Sequence, residues 1–234
     1  MAAVPTVAPP GVFSGTANVI AVGVLLLEFG MFRQALLRDQ VRLYAAQAGL
    51  ISVLAVVVAA VRHLPDLYAL AGLSFALKVV IVPVVLRRLL RGLGARGEGP
   101  GWTDIAGSGS LGLASTVLLA IGVAAFGVFS IAALGLRSPV LPGTALSISV
   151  AVILVAFVLM IARRDVASQA IGLLSLENGV SLTSLVVAAG MPLFLEIAFL
   201  FDLLVAVVVF GLLIRVHHGR ADSLSTTELT SLRG

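Results

Sequence analysis

The chain has 234 residues, no cysteine, 60% apolar residues and 11% charged ones, whereas a soluble domain carries about a quarter charged. That balance excludes a water-facing globular fold, disorder, a collagen-like repeat and a disulfide-stapled scaffold, and the missing thiols exclude cysteine-held iron–sulfur clusters and cysteine-ligated zinc. The formal charge of +4 does not point to nucleic acid, because basic residues in a membrane protein must first be sorted by side of the bilayer.

Apolar runs able to cross roughly 30 Å of hydrocarbon predict an all-α, polytopic membrane protein. Its seven transmembrane helices lie near 13–32, 43–61, 67–86, 111–136, 144–162, 169–189 and 193–214. Residues 1–12 carry no positive charge and the arginines follow the first apolar run, so that run is expected to be a retained span and not a cleaved signal. The chain divides into a three-helix segment (1–90), a Gly-rich cytoplasmic loop (91–110), the fourth helix with an external loop (111–143), a three-helix module (144–214) and a cytoplasmic tail (215–234). The stretch Leu90 to Ser110 reads either as a joint between the helices before and after it or as a plain loop. In the tail, Ser225-Thr226-Thr227-Glu228 is a capping box, compatible with a short helix at 226–232 or with an unstructured end.

Arginines alternate between the two sides. The connections Arg33 to Arg42, Arg87 to Ser110 and Arg163 to Ser168, and the tail from Arg215, hold 3, 4, 2 and 3 of them, whereas the N-terminus and the three opposite connections hold 0, 1, 1 and 0. Cytoplasmic loops retain positive charge. The N-terminus is therefore expected outside, and the C-terminus in the cytoplasm, of a multi-pass protein in the cytoplasmic (inner) membrane.

Four acids, Glu28, Glu177, Glu196 and Asp202, fall inside predicted spans, and so does Lys78, the one lysine of the chain. A lysine at mid-membrane depth costs roughly 3 kcal/mol to insert, so a partner is expected. With about 1.5 Å of rise per residue, Lys78 and Asp202 enter roughly 16 and 14 Å from outside and Glu177 roughly 12 Å from the cytoplasm, so all three approach the midplane. Glu196 and Glu28 lie about one turn from a membrane edge, where either could reach headgroup water. Glu177, Ser181 and Ser184 stand at i, i+4 and i+7 on one helix stripe, and Ser74 lies one turn before Lys78. Asn178 adjoins Glu177.

Desolvation disfavours each buried charge while pairing favours both. A carboxylate and a lysine at one depth can therefore exchange a proton when a nearby field changes. The competing reading is a static ion pair that locks the third span to the sixth or seventh. A retinal-type pigment is disfavoured, since the only tryptophan, Trp102, lies in a loop. His63, His217 and His218 sit at membrane edges without the carboxylates of a metal site, and no phosphate loop, nucleophile elbow or zincin motif is present. No catalytic residue and no metal site is expected in this chain.

Several stretches together resemble one family. Arg42-Leu43-Tyr44-Ala45-Ala46-Gln47, Lys78-Val79 followed by Val82-Pro83, Glu177-Asn178-Gly179, Glu196-Ile197 with Asp202, and the ending Leu229-Thr230-Ser231-Leu232-Arg233-Gly234 are similar, in order and spacing, to the hydrogenase-4 component E family. The resemblance implies a membrane subunit of a group 4 nickel–iron hydrogenase complex, such as a formate hydrogenlyase, related to respiratory complex I. Residues 144–214 look like the small K-type subunit of complex I. By that similarity Glu177 takes the place of the mid-helix glutamate of the proton path and Asp202 that of a second acid. Lys78 and Glu196 belong to the family pattern, whereas Glu28 departs from it.

These readings converge on a non-catalytic subunit of an oxidoreductase complex that carries a segment of a proton path through Glu177, Asp202, Lys78 and Glu196, supported by Ser74, Asn178, Ser181 and Ser184. The chain itself needs no cofactor; a nickel–iron centre and iron–sulfur clusters are expected in partner subunits. The expected partners are antiporter-like membrane subunits, a membrane anchor, a soluble hydrogenase arm and the lipid bilayer, with no nucleic acid. Two rivals remain: a structural scaffold whose buried charges only fix orientation, and an antiporter-type ion carrier, for which internal repeats would be expected.

Overall fold

The computed structural model describes residues 11–34, 36–96, 112–135, 143–163 and 166–187, together with Leu204, Val207 and Gly211. Every element among them is helical. In chain order these are α1 (Gly11–Arg33), α2 (Leu37–Arg62), α3 (Pro65–Ser74), a π-helical segment (Phe75–Ile81), α4 (Val82–Arg96), α5 (Leu113–Ala133), α6 (Gly143–Ala162) and α7 (Val166–Val187). Five continuous helical runs are long and apolar enough to cross a membrane: Gly15–Arg33, Leu37–Val61, Pro65–Arg91, Leu113–Ala133 and Gly143–Ala162. The sixth predicted span exists as α7, whose apolar run is interrupted by Ser175, Glu177, Asn178 and Ser181, and it is not among the five. Of the seventh, only Leu204, Val207 and Gly211 are described; all three are helical.

The helices run further into charged sequence than hydropathy suggests. The link between α1 and α2 is only residues 34–36, and α4 continues through Arg96, into the expected loop. A helix needs apolar side chains only where lipid or core surrounds it, and its hydrogen-bond ladder continues among arginines that reach headgroup water. The turn from α2 to α3 is fixed by His63 in the left-handed region (φ 53°), with Leu64 N–H returning 3.1 Å to Ala59 O, a Schellman-type ending. Pro65 then starts α3, where its missing N–H costs nothing.

Close packing rests on small residues. A Cβ on Gly172 would lie 2.7 Å from Met160 Cγ, and one on Gly179 would lie 2.8 Å from Ile153 Cγ1. These glycines are seven residues apart on α7 and face positions seven apart on α6, which is how two helices approach where lipid supplies no hydrophobic drive. α6 lies between α5 and α7, and α1 packs on both α2 and α6. Arg163, just after α6, donates to the Phe32 and Gln34 carbonyls (3.0 and 3.3 Å) at the end of α1. The outside is apolar: Val19 and Phe129 are 72% exposed and Ile161 is 75% exposed. The bundle turns polar groups such as Glu28, Gln47, Lys78 and Asn178 inward and presents an apolar outside, as a lipid solvent demands.

Candidate functional site

Lys78 sits at the centre of the π-helical segment, and Val82 N–H closes that segment on Leu77 O, five residues back. Pro83 supplies a local cause. It has no N–H to return to Val79, and in a regular helix its ring would meet the Val79 carbonyl. A wider turn just before it lets the span continue, and such turns recur at functional positions.

The Lys78 side chain is 2% exposed. Its Nζ lies 2.5 Å from Glu177 Oε1 on α7 and 2.7 Å from Ser181 Oγ, and Ser181 in turn donates to Glu177 Oε1 at 2.9 Å. The three groups close a triangle in which each contact has a donor and an acceptor. Beside them is a cavity of about 60 Å³, room for about two water molecules. Ser52, Ser74 and Ser184 lie along its wall with the ion pair. The serine stripe expected on α7 thus divides its work: Ser181 bonds the pair and Ser184 lines the space beyond.

Glu28 is placed otherwise than the sequence suggested. It does not reach headgroup water but is fully buried, as are Gln47, Ser175 and Asn178 around it. Gln47 Nε2 donates to Glu28 Oε2 at 2.7 Å, Asn178 Nδ2 donates to Gln47 Oε1 at 3.0 Å, and the Ser175 hydroxyl contacts both Glu28 Oε2 and, at 2.9 Å, Gln47 Oε1. The physical reason is the face that Glu28 occupies. Ala17, Ala21, Val24, Glu28 and Met31 recur at heptad spacing and are all 0% exposed, so the residue points at α2 and α7. The Ser175 proton can serve only one of its two oxygen neighbours. A proton on Glu28 lets the chain run Glu28 to Ser175 to Gln47; without it, Ser175 donates to Glu28. The same heavy-atom frame accommodates both patterns, which differ by one proton.

Tyr44 is fully buried one turn before Gln47 on α2. Glu28 Oε1, the Tyr44 hydroxyl, Glu177 Oε2 and Asn178 Oδ1 are buried with hydrogen-bonding capacity to spare among the described residues. Tyr44 and Gln47 entered the sequence reading only within the run Arg42 to Gln47 that carries the resemblance, and Ser175 did not enter it. Glu196 and Asp202 lie outside the described residues, as do His217, His218 and the capping box of the tail. His63 is exposed at the end of α2, and among the described residues no group of three or more His, Asp or Glu could hold a metal ion.

No protein-family profile matches the chain, and no solved structure matches it. An uncharacterized protein of Mycobacterium tuberculosis is similar to it, 40% identical over 82 residues that make up 34% of this chain and 37% of that protein. The match therefore spans little more than a third of that relative's length.

Proposed function

We propose that the chain is an integral membrane subunit of a complex I-related oxidoreductase complex, of the hydrogenase type, and that Lys78, Glu177 and Asp202 form part of a transmembrane or lateral proton path. The observation that carries the reading is the ion pair of Lys78 and Glu177 in the middle of a span, 2.5 Å apart. Moving one proton from Nζ to Oε1 converts the ion pair into a neutral amine and acid without changing the total charge, so the step is cheap in a medium where net charge is costly. The sequence resemblance supplies the oxidoreductase context, and in that context nickel, iron and clusters reside in partner subunits.

The proposal includes seven spans with the N-terminus outside. In that orientation Glu28, Gln47 and Ser175 lie on the cytoplasmic side of the pair, and Ser181, Ser184, Ser74 and the cavity lie on the external side. The polar groups form a column along α7 with spare hydrogen-bonding capacity at several steps. Asp202 and Glu196 would extend it from the seventh span.

A scaffold reading is favoured by the closed Lys78–Glu177–Ser181 triangle, which is also what a static lock requires. Replacing Glu177 by Gln separates the two. The complex purified through this chain should assemble and lose proton translocation; translocation at the wild-type level would end the conduction reading. Affinity purification of the tagged chain tests the context, because a complex subunit brings large hydrophobic partners with it and an independent carrier comes alone.

A further inference from the structure

Arg38 and Arg42 stand one turn apart at the start of α2, and Arg87 and Arg91 stand one turn apart on α4. The two pairs border one open groove of about 420 Å³, whose apolar wall includes Val79, Val80, Pro83 and Val84. Asp39 binds Arg42 at 3.0 Å and Arg38 at 3.3 Å, and among the described residues no carboxylate lies within ion-pair distance of Arg87 or Arg91. Four guanidinium groups thus face one carboxylate.

The position of the groove matters as much as its charge. Arg38 and Arg42 precede the apolar stretch of α2, and Arg87 and Arg91 follow the apolar stretch of the run that begins at Pro65, so the four arginines stand at the polar end of both runs while the groove descends along Val80 and Val84, which are 49% and 41% exposed. A free anion would use the cations and leave the apolar wall wet. A neutral lipid would use the wall and leave the cations unpaired. Arginine presents a planar fork suited to phosphate oxygens, and basic pockets between spans are the usual place for anionic headgroups.

We propose that this groove binds an anionic phospholipid, with its phosphate between Arg38 and Arg42 on one side and Arg87 and Arg91 on the other, and its acyl chains along Val79, Val80 and Val84. The inference is independent of the proton path. The bound lipid would fill the seam between α2 and α4 and hold α2 against the span that contains the π-helical segment.

The test is native mass spectrometry of the purified protein equilibrated with phosphatidylglycerol and phosphatidylcholine in equal amounts. The wild type should retain phosphatidylglycerol preferentially, and R87Q/R91Q should lower that preference roughly 30-fold, at about one favourable interaction of 1 kcal/mol per arginine. R88Q, which removes an exposed arginine outside the groove, should leave it unchanged. Equal retention of the two lipids by the wild type would overturn the proposal, and that measurement does not depend on any variant folding. Unchanged preference in R87Q/R91Q would overturn it, and so would displacement of the lipid by millimolar inorganic phosphate alone, which would mark a free-anion site.

Discussion

At the scale of single residues, the buried charges are defined by what surrounds them. Lys78 has two oxygen partners and almost no exposure, so removing either member of its pair strands the other. K78M or E177Q alone should lower unfolding stability in bicelles by up to about 3 kcal/mol, and the double variant K78M/E177Q should recover most of that loss. A double variant that is no more stable than the worse single one would mean that the two side chains are not energetically coupled. Glu28 gives a second contrast. E28Q keeps a side chain of the same shape with a hydrogen-bonding oxygen and should stay within about 1 kcal/mol of wild type. E28L leaves Gln47 Nε2 and the Ser175 hydroxyl without that acceptor and should cost roughly 1–3 kcal/mol. Thermal unfolding of both variants checks this, and equal stabilities would show that the Glu28 cluster contributes nothing.

At the scale of elements, the site depends on two backbone features. The first is the wide turn at Phe75–Ile81 ahead of Pro83, which carries Lys78 on the span. The second is the approach of α7 to α6 at Gly172 and Gly179. Gly179 adjoins Asn178 and lies two residues from Glu177, so a side chain there moves both polar clusters at once. G179L would drive carbon into Ile153 and should destabilise the bundle by roughly 1–3 kcal/mol while weakening the Lys78–Glu177 coupling measured in the double-variant cycle. G15A is the control, because a Cβ at Gly15 meets nothing within 4 Å; it should leave the coupling unchanged and should not destabilise the bundle. The existence of each long helix was legible from hydropathy, but the ends were not. Charged residues such as Asp39, Arg42 and Arg91 look like loop in a hydropathy scan and are helical in fact, because helix ends can be solvated at headgroup depth.

At the scale of the whole molecule, the arginine alternation and the inward polarity make a definite topology testable. The chain has no cysteine, so single cysteines can be introduced without background. In intact cells D66C should react with an impermeant maleimide added from outside and E98C should not, whereas in inverted vesicles the pattern should reverse. Labelling of both positions from the same side would refute the seven-span orientation.

The sequence by itself determined that this is a helical protein of membrane-spanning character, where the six described long helical runs lie, and that Lys78 and Glu177 lie at similar depth, because hydropathy and rise per residue depend only on local chain chemistry. It could not determine which way each helix faces. In lipid the outer surface is as apolar as the core, so Val19 and Leu26 on one side of α1 read no differently from Ala21 and Val24 on the other, although the first two are exposed and the last two are fully buried. Only packing decided that Glu28 turns inward to meet Gln47, Ser175 and Asn178, that the lysine finds Glu177 and Ser181, and that four arginines from two helices border one groove, since each depends on the rotation of one helix against another.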